Sequence, residues 1–277
     1  MSLNVLVETT FGSDPDNADA AMAEAGGYSG DEHRAWAGRI EIARQSGHPE
    51  DIQVLADEAP SAARRAAALA LVDEMLRHRQ SRKSPGQVFL FSGHMIDAPD
   101  RPLPRFPADK EGVAAARIGE ALDALAASPS DLALAQGAAG GDILFGEACL
   151  ARGVSLQMLL PLPEPEFIAT SVLPCCAGES WRARYLALRE RLALPPRILP
   201  DALGPLPRGS EGKPGDPYER CNRWLLDTAL AQGADRLRFI CLWDGGGGDG
   251  AGGTAHMVKE VARRTGQVTW LDTRELW

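Results

Sequence analysis

The feature that most restricts this chain is a repeated junction, in which a short unbroken apolar run ends in glycines and passes straight into a helical pattern. Residues 132–135 (LALA) run through Gln136 into Gly137-Ala138-Ala139-Gly140-Gly141-Asp142 and a helix over 142–152. Residues 237–243 (LRFICLW) run through Asp244 into the glycine stretch 245–253, and a helix opens at Thr254. A third run, 88–92 (VFLFS), stops at Gly93-His94 before a Pro-rich loop. Runs this short, with no polar alternation, are strands buried on both faces, the type found in parallel sheets covered by helices.

The rest of the C-terminal two thirds keeps the alternation. Helices are expected over 108–127, 164–172, 181–192, 218–232 and 254–264, and further strands over 154–160 and 268–271. Alternating strands and helices predict an α/β fold, a Rossmann-like parallel sheet flanked by helices. The Pro/Gly-rich segment 193–217 contains no such pattern and is expected to be a mobile loop.

The first third reads differently. Residues 4–10 could form a short strand, and beyond them the pattern is helical. Ser29 or Asp31 is a candidate cap for a helix carrying Trp36, Ile40 and Ala43 and ending at Gly47. Ser61 opens a second helix, with Leu69, Val72, Met75 and Leu76 on its expected inner stripe. The polar Pro/Gly break at 81–86 divides a small helical region, 1–82, from the sheet domain, 83–277.

Composition narrows the function. Of 277 residues, 44% are hydrophobic and 24% charged, an ordinary globular balance. The net charge of −9 speaks against a nucleic-acid backbone as the main partner, and the basic stretch of Arg77, Arg79, Arg82 and Lys83 is short. No apolar stretch is long enough for a membrane span. The start of the chain lacks the basic segment and cleavage site of a secretory signal. Its five cysteines, two of them the vicinal Cys175 and Cys176, have no C-x-x-C spacing. A cytoplasmic location with reduced thiols is therefore expected, and no metal site.

In an open parallel sheet, ligands bind at the carboxyl ends of the strands. Glycines there let backbone N–H groups approach an anion, and the following helix adds its own unpaired N–H groups and positive dipole end. The candidate ligand-binding set is accordingly Ser92, Gly93, His94, Gly137, Ala138, Gly140, Gly141, Asp142, Asp244, Gly245, Gly252, Gly253 and Thr254. Arg101 and Arg105, in the loop DRPLPRFP, are candidate phosphate clamps, because a guanidinium pairs bidentately with phosphate. His94 faces the ligand or is a structural histidine. Asp142 caps its helix or meets a sugar hydroxyl, since a carboxylate would repel phosphate. Asp142 and Glu147 are the candidate general acid/base residues, and Trp181, Arg182, Arg184 and Tyr185 form a second group with stacking and cationic character. The glycine loops match neither the dinucleotide fingerprint nor the Walker pattern.

Residues 88–172 resemble the SLOG superfamily, the Rossmann-like fold shared by lonely-guy phosphoribohydrolases and the DNA-processing proteins of natural transformation. The strand exit FSGH (91–94), the stretch GAAGGDILFGEACLARG (137–153) and QMLLPLPEPEF (157–167) carry the resemblance. GAGGTAHM (250–257) looks like a relative of that family's P-G-G-x-G-T-x-x-E loop, with its proline absent and Met257 in place of its glutamate. The resemblance implies a nucleotide or nucleotide derivative (AMP-, ADP-ribose- or NAD-like) as ligand, and no other cofactor. It is bound or sensed on the first expectation; the alternative is hydrolysis of its N-glycosidic bond, with Glu147 or Asp142 assisting departure of the base. The N-terminal helices resemble those joined to sensor-type members. Self-association into a homo-oligomer is left open.

Overall fold

A computed structural model of the protein describes residues 30–79, 84–207, 215–247, 253–265 and 267–277. The candidate strand 4–10, the cap Ser29, the basic pair Arg82 and Lys83, and Gly252 lie outside the described residues. The chain divides into two compact units, one drawn from 1–84 and 202–207 and the other from 85–201 and 208–277.

The first unit contains helices α1 (Gly30–Ser46), α2 (Pro49–Asp57) and α3 (Ala62–Arg79). Trp36, Ile40 and Ala43 recur at helical spacing and are buried, and the Trp36 Nε1–H donates to Leu55 O at 2.7 Å, tying α1 to α2. Gly47 ends α1 at a positive φ of 74°, as expected of a helix stop. Helix α2 has no counterpart among the expected helices; its start depends on Pro49 at the first turn, directly after that stop. In α3 the buried stripe is Ala68, Leu71 and Val72, while Leu69, Met75 and Leu76 are only half-buried. The helix is so rich in alanine that its larger residues do not set the phase.

The second unit is a six-stranded, all-parallel sheet flanked by helices. Its strands are β1 (Val88–Gly93), β2 (Leu132–Ala135), β3 (Ser155–Leu160), β4 (Arg197–Ile198), β5 (Leu237–Trp243) and β6 (Val268–Asp272), in the order β4-β3-β2-β1-β5-β6. The intervening helices are α4 (Glu111–Ala124), α5 (Gly141–Ala151), α6 (Glu164–Ser171), α7 (Gly178–Glu190), α8 (Leu199–Leu203), α9 (Pro217–Leu230), α10 (Thr254–Arg264) and α11 (Thr273–Leu276). Side chains alternate across the sheet. Phe89 and Phe91, with Ala133, Ala135, Leu156 and Met158, share one core with buried residues of α4, α5 and α7. Phe91 stacks on Phe145 of α5 with centroids 4.8 Å apart. Helices α9 and α10 pack on the sheet too, against β1 and its neighbours.

The segment 193–217, expected to be a loop, is in part regular. Arg197–Ile198 pairs in parallel with Leu159 and Leu160, and α8 follows at once. A two-residue strand has no periodicity to read, so the sequence of this segment carries no sign of it. Among the described residues no helix is long and apolar enough to cross a membrane.

The strand order locates the point that matters. From β1 the chain steps outward through β2, β3 and β4, then returns past β1 to build β5 and β6 on its other side. Loops leaving β1 and β5 therefore part in opposite directions and open a crevice at their carboxyl ends, the usual ligand position in such sheets.

Candidate functional site

A cavity of about 460 Å³ lies at that crevice. The exit of β1 (Gly93, His94), the loop after it (Arg101, Arg105) and the start of α10 (Gly253, Thr254) all contribute to its lining. Six of the residues expected to bind ligand are thus brought together from two stretches far apart in sequence, 93–105 and 253–254. Ser92 adjoins them, its Oγ 3.1 Å from Thr254 Oγ1.

His94 pins the crevice. Its backbone N–H donates to Leu242 O at 2.9 Å and its carbonyl accepts from Gly141 N–H at 3.1 Å, so one residue joins the ends of β1 and β5 to the start of α5. Its ring Nε2 lies 3.1 Å from Asp244 N and 3.2 Å from Asp244 Oδ1. A neutral ring accepts from the N–H, and a protonated ring donates to the carboxylate. Burial, helped by Arg105, holds the imidazole below its ordinary pKa against the pull of Asp244, which favours the neutral form at pH 7. The Asp244 carboxyl is held low: burial opposes this, but the Gly246 N–H, His94 and Arg105 together outweigh it.

The two arginines are carried by a loop that Asp97 organises. The buried Asp97 Oδ2 accepts from the backbone N–H groups of Arg105 and Phe106, both at 2.9 Å, and Asp97 N–H donates to Phe106 O. Arg101 Nε lies 3.1 Å from Leu103 O and 3.4 Å from Asp97 Oδ1. Helix α10 has Gly253 at its cap position, with no side chain to cap it, and Gly253 and Thr254 at its start line the cavity.

The loop at 137–141 is arranged otherwise. Gly137 N–H and Ala138 N–H both donate to Asp142 Oδ2, at 3.0 and 3.2 Å; Ala139 N–H donates to Ser171 O and Gly141 N–H to His94 O. Of the donors expected to cradle a phosphate, the N–H groups of Gly137, Ala138 and Gly141 are spent inside the protein, and the anion that Gly137 and Ala138 hold is the chain's own carboxylate. Asp142 is buried; burial pushes its carboxyl up to about 6, although N–H groups of Gly137, Ala138 and Gln136 pull the other way. It caps the loop rather than a helix end, since the residue at the cap of α5 is Gly140.

Glu147 is turned to a different partner. Arg184 grips it bidentately, Nε to Oε1 at 2.8 Å and Nη2 to Oε2 at 2.5 Å, while Arg184 Nη1 reaches Glu111 Oε1 at 2.6 Å. The same guanidinium lies over the buried Trp181, 4.2 Å from its ring centroid. Tyr185 is buried and donates to Glu164 Oε1, and Arg182 pairs with Glu179. Neither this group nor Gly137, Gly140, Asp142, Glu147 or Gly245 is part of the cavity lining. Met257 is buried in α10, which packs on β1 and β5.

The lining also contains residues that the sequence does not single out: Thr170 and Ser171 at the end of α6, Asp216 and Tyr218 at the start of α9, and Trp243 at the end of β5. Tyr218 Oη is 2.8 Å from Ser171 Oγ and 3.0 Å from Thr170 Oγ1. Asp216 Oδ1 accepts from Tyr218 N–H at 2.7 Å and Glu219 N–H at 3.2 Å, the signature of a helix cap, and only that signal is present in the sequence. Among the described residues no group of three or more His, Cys, Asp or Glu side chains is placed to hold a metal ion. In comparisons with known proteins, no family model matches the chain and no curated protein sequence matches it.

Proposed function

We propose that the protein is a cytoplasmic nucleotide sensor of the SLOG type, and that the crevice between β1 and β5 binds an AMP-, ADP-ribose- or NAD-like ligand. One observation carries this reading: at the topological switch of a parallel sheet, a helix start with glycine at its cap position and two arginines line one cavity. Helix N-termini and guanidinium groups are the two protein features best suited to phosphate. In this reading the phosphate sits against Gly253 and Thr254, within reach of the Ser92 hydroxyl, with Arg101 and Arg105 closing on it. Trp243 and Tyr218 offer aromatic surface for the base.

Sensing is favoured over cleavage by where the acids lie. Asp142 holds its own loop, Glu147 is paired with Arg184, and the family's glutamate position is the buried Met257. Among the described residues the carboxylate in the cavity lining is Asp216, whose Oδ1 already accepts two backbone N–H bonds.

Calorimetry of the full chain against AMP, ADP-ribose, NAD and cyclic nucleotides tests the reading, with micromolar binding of at least one expected. No binding below millimolar for the whole panel would defeat it. Arg105→Ala should weaken the bound ligand about 10- to 100-fold, the worth of a charge-assisted bond to phosphate. The loop should survive that change, because Asp97 holds residue 105 through its backbone N–H.

A further inference from the structure

The three hydroxyls at the junction of α6 and α9 have a forced order. Thr170 Oγ1 lies 2.9 Å from Glu166 O and 3.4 Å from Phe167 O, Tyr218 Oη lies 3.0 Å from Thr170 Oγ1, and Ser171 Oγ lies 2.8 Å from Tyr218 Oη. Each hydroxyl has one proton to give, and a carbonyl oxygen can only accept. The Thr170 proton therefore goes to the carbonyls of α6. Only the Tyr218 proton is left to join Tyr218 to Thr170, and only the Ser171 proton to join Ser171 to Tyr218. Reversing the chain so that Ser171 faces outward with a proton would leave two oxygens 3.0 Å apart with nothing between them.

All three residues line the cavity, and Ser171 is 3% exposed. The rest of this wall has the same polarity. Asp216 is a carboxylate, the Tyr218 N–H is already given to it, the Ser171 carbonyl accepts from Ala139, and Pro174 has no N–H. Among the described residues the side chains of this wall offer lone pairs and no proton, whereas Arg101, Arg105 and the start of α10 offer protons.

We propose that the Thr170–Ser171–Tyr218 wall selects ligands that present a hydrogen-bond donor to it, an amino-substituted base or a sugar hydroxyl, over ligands that present a carbonyl there. The proposal rests on the nucleotide reading of the same cavity and names what that nucleotide must carry. An amino purine is favoured over its keto counterpart, because the keto oxygen would meet only other acceptors.

Calorimetry of the full chain with AMP, IMP, 2′-deoxy-AMP, 3′-deoxy-AMP, adenine and hypoxanthine tests it, on the wild type and on Tyr218→Phe. AMP should bind about tenfold or more tighter than IMP, the worth of one hydrogen bond gained against one lone-pair clash. In Tyr218→Phe the Ser171 proton loses its acceptor and becomes available to the ligand, so the preference should collapse or invert. Equal binding of AMP and IMP with a tenfold loss for a deoxy analogue assigns the donor to the sugar and keeps the proposal. Equal binding of all four nucleotides overturns it, as does a preference unchanged in Tyr218→Phe. Adenine bound over hypoxanthine, with no nucleotide bound, defeats the nucleotide reading and leaves the acceptor wall standing. No binding by any probe overturns both. Should Tyr218→Phe fail to fold, Thr170→Val removes the acceptor of the Tyr218 proton and frees one hydroxyl proton for the ligand, so the preference should collapse or invert there too.

Discussion

Gly140→Ala is expected to destabilise the sheet unit by about 2–4 kcal/mol, an effect as large as many core truncations. Gly140 has φ 104° and ψ −123°, a region closed to residues with a Cβ. A Cβ there would lie 2.6 Å from Ile96 N and 3.1 Å from His94 O. Both are backbone atoms, so no rotamer change relieves the contact. Two hydrogen bonds close around the same point, Ile96 N–H to Ala139 O and Gly141 N–H to His94 O, both at 3.1 Å. A methyl group wedged between them pushes the exit of β1 away from the start of α5. Ligand binding should fall as well, because His94 and Ile96 line the cavity. Urea unfolding reads the stability, and Gly112→Ala is the control. Gly112 lies in the first turn of α4, where a Cβ would meet nothing within 4 Å, so alanine there should be neutral or stabilising by about 0.5–1 kcal/mol. A Gly140→Ala midpoint indistinguishable from wild type would remove the steric account of this crossing.

The contrast between these two glycines shows which parts of the molecule are legible in its sequence. Strands β1, β2 and β5 announce themselves because burial on both faces leaves a continuous apolar run. Strand β3 and the part-buried edge strand β6 do so by their place in the alternation of strands and helices. Strand β4 does not, since two residues paired to Leu159 and Leu160 carry no pattern. The cavity residues at strand exits and at the start of α10 could be anticipated, because ligand position in a parallel sheet follows from topology. Ser171 and Tyr218 could not, as only the packing of α6 against the start of α9 brings their hydroxyls together. The glycine loop at 137–141 is the instructive middle case. Its composition marks an anion-binding turn, and an anion is bound, but composition cannot tell that Asp142 supplies it. Glu147 has the same history: its acidity is visible, while its partner Arg184 is remote in sequence and near only in space.

The Asp142 carboxylate should make wild-type stability fall as pH rises through about 6, and Asp142→Asn should abolish that dependence. The sign follows from burial. The folded carboxyl titrates near 6 and its unfolded counterpart near the ordinary 3.8, so the folded state holds a proton that the unfolded state has lost between those values. The stabilising contribution is complete below the unfolded value and disappears above the folded one. Roughly two pH units at about 1.4 kcal/mol each set the scale, about 3 kcal/mol at most. Asparagine mimics the protonated acid: one carbonyl oxygen can accept from both Gly137 and Ala138, whose N–H groups already converge on a single oxygen. At pH 7.5 Asp142→Asn should therefore be the more stable protein. Asp142→Ala removes the acceptor altogether and takes from the N–H groups of Gly137 and Ala138 their shared partner in a buried site. It should be less stable than wild type by about 2–4 kcal/mol. His94, held below its ordinary pKa, contributes a slope of the opposite sign in the same pH range. That slope is common to wild type and Asp142→Asn, so the difference between their denaturation curves, measured from pH 4 to 8, isolates Asp142. Parallel curves across that range would mean that the carboxylate keeps its charge at little cost, and the three N–H groups around it would then be the stronger influence.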